Sequence, residues 1–331
     1  MSFAIVKFVV RRLLYMVPTL IFISLIAFLI IELPPGDYVT SYVQALRSRG
    51  VEINRAQEQA IRERYGLGDP WYARYWKWFT NLLEGDLGYS YTFSAPVGEL
   101  IAKRLPYTIL ISVATILFSW TLAIPIAIIS AVKKYTVADY TITFFGFVGL
   151  SIPNFFLAIV LMYLGFKFFG VSIGGLFSRE YLLAPWSWGK FADLLKHVWV
   201  PIVVVGTAGT AQTIRVLRAS LLDELGKDYV RTARAKGMSE LRVLIFHPLR
   251  VAVNPLISTV GWLLPTVISG AIITAQVLAL PTTGPLLLGA LLNQDMYLAG
   301  SFVFLLSVLT IIGTLLSDIL LAVIDPRIRY D

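Results

Sequence analysis

Few side chains in this sequence could carry out chemistry, and they are poorly placed for catalysis. The chain contains no cysteine, which excludes a thiolate nucleophile, a disulfide and a cysteine-ligated metal. Its two histidines, His197 and His247, fall in different loops between apolar runs. No G-x-x-x-x-G-K-[ST] loop is present to hold the phosphates of ATP. We therefore expect a protein that is not an enzyme and has neither a metal site nor a cofactor.

Ion-coupled transport would require ionisable groups inside apolar segments. The clearest such group is Asp318, about two turns from the end of the last apolar run. A buried carboxylate at this position needs a partner. Such a carboxylate more often forms a structural ion pair or hydrogen bond than takes part in ion coupling. Asn154, Gln212 and Gln276 are polar but not titratable. They suit either hydrogen bonds between helices or the lining of a polar pore, and the sequence leaves both roles open.

Residues 227–250, KDYVRTARAKGMSELRVLIFHPLR, form a strongly basic stretch between two apolar runs. We call it the basic segment. Asp228 is a suitable N-cap for a short helix from Tyr229 to Lys236, and Gly237 would end that helix. Ser239 could cap a second helix. The expected structure is therefore a helix, a glycine break and another helix.

The basic segment could be a solvated loop or an amphipathic segment resting on anionic lipid. Neither explains the small residues Thr232, Ala233 and Ala235 beside Tyr229. A short helix with a small-residue face can fit a groove on another protein. Because Tyr229 and Ala233 are four residues apart, we expect them to share the face that fills such a groove.

The composition predicts an all-α polytopic membrane protein. Hydrophobic residues make up 57% of the chain and charged residues 15%. Six apolar runs are long enough for transmembrane helices, at 13–31, 107–132, 141–169, 198–219, 253–280 and 301–324. Pro153 lies inside the third of these runs, where we expect a kink that neighbouring helices tolerate.

The distribution of positive charge predicts the orientation. Eight Lys or Arg residues fall within 215–250, whereas 170–197 contains three and 281–298 none. By the positive-inside rule both termini and the basic segment lie in the cytoplasm. The cytoplasmic location of the basic loops then explains the net charge of +8, and we expect no nucleic-acid partner.

Residues 33–100 would form an external helical insertion between the first and second transmembrane helices. Within it, Trp71, Tyr75, Trp78, Phe79 and Leu82 follow helical spacing along one face. An aromatic stripe of this kind could bind a ligand, but packing is its more common role. The predicted organisation is a first helix in 1–32, the insertion in 33–100 and a five-helix domain in 101–331, with a coupling loop at 220–250.

Several stretches resemble one family of membrane proteins. DYVRTARAKG followed by HPLR is similar to the cytoplasmic loop of permease subunits in ABC importers, in particular those for dipeptides and oligopeptides. VKFVVRRLLYMVPTL near the start, PPGDY after the first span, GDLGYSY at 85–91 and the terminal DPRIRYD agree with that resemblance. It extends over essentially the whole chain, in the order of the six predicted spans.

The resemblance implies half of a translocation pore in a bacterial or archaeal cytoplasmic membrane. Its partners would be a sister permease, usually non-identical, two cytoplasmic ATPases and an extracytoplasmic substrate-binding protein. The helix at 229–237 would be the coupling helix that docks in an ATPase groove. The residues that the resemblance assigns to coupling are Asp228, Tyr229, Arg231, Thr232, Ala233, Arg234, Ala235 and Gly237. Relatives in this family carry peptides, oligosaccharides or nickel chelates.

Two other functions would suit a polytopic membrane protein. A proton-coupled secondary transporter predicts inverted repeats and acids at the membrane midplane, and the sequence shows neither. A second alternative is a membrane scaffold or assembly factor with no transport activity. The importer permease is the hypothesis on which motif and topology agree.

Overall fold

The computed structural model describes residues 3–32, 38–48, 50, 52–64, 68–90, 92–170, 173–258 and 272–324. The chain divides into two compact units, and helices form nearly all of the regular structure described in both. Unit 1 takes in Tyr107–Pro281 with Ile312–Asp331 and Met1–Ile5. Unit 2 takes in Val6–Pro106 and Thr282–Ile311. The predicted domain boundary at 100/101 therefore falls inside a helix that both units share.

Unit 2 consists of helices around a short hairpin. Its elements, some of which continue into unit 1, are α1 (Phe3–Glu32), α2 (Tyr38–Ser48), α3 (Arg55–Arg64), α4 (Trp71–Leu83), β1 (Tyr89–Ser90), β2 (Ala95–Pro96), α5 (Val97–Val132), α13 (Thr283–Leu292) and α14 (Met296–Ile324). The two strands pair antiparallel, with Tyr89 opposite Pro96. Asn54 and Gln57 exchange side-chain to backbone hydrogen bonds and so form a capping box for α3.

The core of unit 2 is the aromatic face of α4. Tyr75, Trp78, Phe79 and Leu82 are buried and pack with Phe28 of α1. This confirms that the stripe is mainly a packing surface, as its helical spacing favours. Trp71 is the exception, since its side chain lies largely exposed at the first residue of α4.

Asp295 fastens the hairpin to the start of α14. Its Oδ1 accepts a hydrogen bond from the backbone N–H of Leu298 at 3.2 Å and so caps the helix. Its Oδ2 accepts from Ser90 Oγ at 2.6 Å and from the N–H of Thr92 at 3.0 Å. Because Asp295 is fully buried, each of these donors replaces water that the carboxylate has lost.

Unit 1 contains the remaining helices. They are α6 (Val137–Ser151), α7 (Asn154–Phe169), α8 (Trp188–Leu225), α9 (Asp228–Ala235), α10 (Glu240–Phe246), α11 (Pro248–Ala252) and α12 (Ile272–Val277), together with most of α5 and the end of α14. Helices α5 and α8 approach closely at Gly206, where an added Cβ would lie 2.7 Å from Phe118 Cδ1. Ser119 Oγ donates to the Gly206 carbonyl at 3.1 Å, a small-residue contact of the kind that membrane helices use.

The loop before α8 is held by that helix's own side chains. Asp193 accepts hydrogen bonds from the backbone N–H and the hydroxyl of Ser178, at 2.7 and 2.6 Å. Lys190 Nζ donates to the Ala184 carbonyl at 2.6 Å and lies 4.9 Å from the Phe177 ring centroid. These contacts give the loop a fixed path across the start of α8.

Four described helical stretches are long and apolar enough to cross a membrane: Val97–Val132, Trp188–Leu225, Glu240–Ser258 and Met296–Leu321. The count rises to five if the pair Val137–Ser151 and Asn154–Phe168 forms one broken span. The first predicted span lies within α1. The centre of the predicted fifth span, residues 259–271, and the C-terminal residues 325–331 lie outside the described residues.

The predicted third span, 141–169, is not one continuous helix. Helices α6 and α7 meet at an angle of 93°, with the break at Ile152 and Pro153. Ile152 has φ −84° and ψ 118°, the extended conformation that a following proline favours. Pro153 also lacks the N–H needed to continue the helix. The expected kink is therefore a sharp bend.

Candidate functional site

Helix α9 forms the first half of the basic segment, with bounds that differ slightly from the prediction. Lys227, in an extended conformation, is the N-cap, and Asp228 is the first helical residue. The prediction of Asp228 as N-cap is therefore wrong by one position. The carboxylate still lies in the first helical turn, where it interacts favourably with the positive end of the helix dipole. Thr232 Oγ1 donates to the Asp228 carbonyl at 2.9 Å.

Gly237 ends this helix as the sequence predicts. Its φ is +79°, a left-handed conformation that glycine adopts without steric cost. The Gly237 N–H donates to the Arg234 carbonyl at 2.9 Å, and the N–H of Met238 donates to the Ala233 carbonyl at 3.4 Å. These bonds satisfy carbonyls at the helix end and reverse the chain toward α10. Ser239 then occupies the N-cap of α10, also as expected.

A small apolar cluster holds α9 and α10 together. Val230 and Ala233 of α9 are buried against Val243 of α10, with Met238 packed beside them. The Ala233 side chain is 6% exposed, so it faces its own chain. This corrects the expectation that Ala233 lies on a face open to another protein. Its small size allows α9 and α10 to approach each other.

The exposed face of α9 carries polar and small residues instead. Asp228, Arg231, Thr232 and Ala235 are exposed and follow the spacing i, i+3, i+4 and i+7, which defines one side of a helix. Arg231 Nη1 lies 3.5 Å from Asp228 Oδ1 along this face. The face is short and continuous, and Arg231 is its one long side chain.

Two of the other predicted coupling residues lie on the flanks of α9. Tyr229 is 40% exposed, and its hydroxyl donates to Glu224 Oε2 at 2.5 Å, which ties α9 to the end of α8. Arg234 Nε lies 3.0 Å from Glu240 Oε1, which ties α9 to α10. These contacts orient the helix and leave its polar face uncovered by the described residues.

The base of the basic segment packs on the ends of two long helices. Ala252 of α11 and Leu256 belong to one buried cluster with Leu217 and Leu221 of α8 and Ala127 of α5. Leu244 of α10, Leu249 of α11 and Leu225 of α8 pack against that cluster. Packing contacts therefore continue from α10 and α11 to α5 and α8.

A buried ion pair joins three helices at the same end of α8. Arg218 donates to Asp139 through Nε at 2.8 Å and through Nη2 at 2.7 Å, a bidentate arrangement. Ser130 Oγ of α5 also donates to the Asp139 carboxylate, and the N–H of Tyr135 donates to it at 2.9 Å. Asp139 is 2% exposed. The pair therefore fixes α5, α6 and α8 to one another close to the basic segment.

The four predicted pore or helix-contact residues are spread over four helices. Asn154 begins α7, Gln212 lies in α8, Gln276 in α12 and Asp318 in α14. Gln212 is exposed and accepts a hydrogen bond from Arg215 at 3.0 Å, and Gln276 is also exposed. Asp318 is half-buried next to Ser317, whose hydroxyl donates to the Ile257 carbonyl at 2.9 Å.

Comparison with known proteins relates the whole chain to bacterial transport systems. Residues 123–330 match the family described as binding-protein-dependent transport system inner membrane component. Residues 5–112 match the N-terminal model for the same kind of membrane component.

Similar proteins cover nearly the same length. The oligopeptide transport system permease protein AppB of Bacillus subtilis is 36% identical over 98% of this chain and 99% of its own length. The dipeptide transport system permease protein DppB of Escherichia coli K12 is 32% identical over the same shares of the two chains. The di/tripeptide permease protein DppB of Pseudomonas aeruginosa is 30% identical, again over 98% and 99%. The chain therefore belongs to the binding-protein-dependent transport system inner membrane components and is a permease subunit of an ABC importer.

Proposed function

We propose that this permease subunit forms half of a translocation pore for peptides and that α9 couples the pore to a cytoplasmic ATPase. The peptide substrate class rests on the names of the relatives, which are oligopeptide, dipeptide and di/tripeptide permease proteins. The other half of the pore would come from a sister permease, and an external binding protein would deliver the substrate.

The proposed topology has six transmembrane helices with both termini in the cytoplasm. The bent α6–α7 pair would count as one of them. The basic residues of the basic segment then lie in the cytoplasm, in agreement with the positive-inside rule. Residues 33–100 lie on the outside, where they are available to a binding protein.

The observation that carries the coupling proposal is the two-sided structure of α9. One side is fixed to α10 through Val230 and Ala233. The opposite side exposes Asp228, Arg231, Thr232 and Ala235. A helix held on one side and exposed on the other can enter a groove and still transmit force to its own protein. In this mechanism, closure of the ATPases moves α9, and the cluster beneath α11 passes the movement to α5 and α8.

Ala235→Trp tests this assignment. Ala235 is exposed, so a tryptophan there leaves the packing within the chain intact but fills space at the proposed interface. We expect loss of ATPase subunits from the purified complex and loss of substrate-stimulated ATP hydrolysis and uptake in proteoliposomes. Ala235→Ser is the matched control, because it keeps a small side chain and should preserve both activities.

Ala233→Trp provides a second comparison at a buried position. Its bulk would disrupt the contact of α9 with α10, so hydrogen exchange in α9 should increase in that variant and not in Ala235→Trp. Normal ATPase binding and uptake by Ala235→Trp would refute the coupling assignment.

A further inference from the structure

Helix α4 has three sides of different character, and the described fold explains only one of them. Its buried side carries Tyr75, Trp78, Phe79 and Leu82 and forms the core of unit 2. A second side carries Tyr72, Trp76 and Leu83, which are 61%, 64% and 70% exposed. At about 100° per residue these three side chains fall within about 40° of one another. They therefore form one exposed apolar stripe.

The third side of α4 is polar. It carries Arg74, Lys77 and Asn81, which lie at i, i+3 and i+7. The buried side of the helix separates these residues from the apolar stripe. Apart from Trp71 at the first helical residue, the exposed aromatic side chains are thus confined to one flank of the helix. A fully hydrated helix gains nothing from such segregation, whereas a helix at a boundary between water and an apolar phase does.

Contacts with α1 and α14 place α4 beside membrane helices. The Tyr75 hydroxyl and Ser24 Oγ are 2.9 Å apart, and Ser24 lies eight residues, or about 12 Å, before the last residue of α1. Trp78 Nε1 donates to Ser301 Oγ of α14 at 3.3 Å. Helix α4 thus packs beside the last turns of α1, near the end of that helix.

The neighbouring face of α1 is itself apolar and exposed. Phe22 and Ile26, one turn apart, are 64% and 39% exposed, on the other side of α1 from the buried Ser24 and Phe28. A spanning helix with such a face contacts lipid chains there. The apolar stripe of α4 offers side chains of the same kind at the end of that helix, and tryptophan and tyrosine are enriched at the bilayer interface.

We infer that α4 is an interfacial helix whose stripe of Tyr72, Trp76 and Leu83 inserts into the lipid leaflet at the carboxyl end of α1. The stripe would contact phospholipids at the level where their head groups meet their acyl chains. Lys77 and Arg74 on the opposite flank remain at the polar side. In the proposed orientation this is the outer leaflet, and only the polar side of α4 is left for a binding protein. The inference itself requires only that the chain is a membrane component.

Photocrosslinking in native membranes tests this inference. We would replace Trp76 with p-benzoylphenylalanine, a conservative change at an exposed aromatic position. The same residue at Lys77, the adjacent position on the polar side, is the matched control. The same residue at Phe22 of α1 defines the yield expected of a lipid-facing side chain. After irradiation of the full chain in its assembled complex, mass spectrometry separates phospholipid adducts from protein adducts.

We expect phospholipid adducts at position 76 in a yield similar to that at position 22 and several-fold above that at position 77. A protein adduct at position 76, from a second subunit or a binding protein, would overturn the inference. So would equal lipid yields at 76 and 77, or a strong lipid adduct at 22 with none at 76. These adduct yields do not depend on transport. If the coupling proposal for α9 were wrong, the expected yields would stay the same.

Discussion

Asp139 and Arg218 form an ion pair that is costly to bury and costly to break. Desolvation of both charges opposes formation of the pair. The Asp139 carboxylate accepts two hydrogen bonds from Arg218 and one each from Ser130 and Tyr135, and these bonds offset that cost. Removal of one partner would leave the other charge uncompensated. The pair is therefore a point at which α5, α6 and α8 are held in one arrangement.

Asp139→Ala should lower the free energy of unfolding by about 2 kcal/mol, because Arg218, which is only partly exposed, would then lack its carboxylate partner. Thermal or denaturant unfolding of the chain in lipid nanodiscs would measure this change. The double variant Asp139→Ala, Arg218→Leu should regain most of the loss, since an apolar pair leaves no unpaired charge. A double variant as unstable as the single one would show that the charges are not the cause.

The ion pair was not predicted from the sequence. Arg218 counted there only among the basic residues of 215–250 that set the orientation. The partner, Asp139, is 79 residues away, and local spacing gives no indication of which acid it would be. The same limit applies to Ala233. Its small size indicated a close contact, but only the three-dimensional structure identifies Val243 of the same chain as its neighbour.

At the scale of elements, local signals located helix ends better than helix directions. Gly237 predicted the end of α9, and a left-handed residue lies there. Pro153 predicted an interruption of the third apolar run. The 93° angle between α6 and α7 could not be predicted, because the packing of those helices on their neighbours sets it.

Gly237→Ala should destabilise the turn between α9 and α10 by about 1 kcal/mol, because a Cβ disfavours positive φ. An added Cβ would meet nothing within 4 Å, so the loss comes from the backbone and not from a clash. Hydrogen exchange of the α9 amides would measure it. Gly237→Asn should destabilise the turn less than Gly237→Ala, since asparagine tolerates the left-handed region.

Gly226 is the matched control for this change. It ends α8 with φ −80°, and an added Cβ would lie 3.7 Å from the Asp223 carbonyl oxygen, an ordinary contact. Gly226→Ala should therefore be neutral or slightly stabilising. Equal exchange rates in the Gly237→Ala and Gly226→Ala variants would contradict the role assigned to the left-handed turn.

At the scale of the whole molecule, the apolar runs predicted more than single residues did. The helical, membrane-spanning character follows from composition, because in a bilayer every backbone polar group must be paired internally, and a long apolar run achieves this as a helix. The division into two units was not predicted. Residues 282–311 join unit 2 although they are far from it in sequence, through contacts such as Asp295 with Ser90.

The proposed orientation can be tested with single cysteines, because the natural chain has none. Ala56, Leu183 and Ser239 are exposed, so a cysteine at any of them should leave the fold intact. In intact cells an impermeant thiol reagent should label Ala56→Cys and Leu183→Cys and should spare Ser239→Cys. We expect this labelling pattern because the basic residues keep the basic segment in the cytoplasm. After permeabilisation, Ser239→Cys should be labelled as strongly as the other two. Labelling of Ser239→Cys before permeabilisation, with protection of Leu183→Cys, would place α9 outside the cell, where it could not contact a cytoplasmic ATPase.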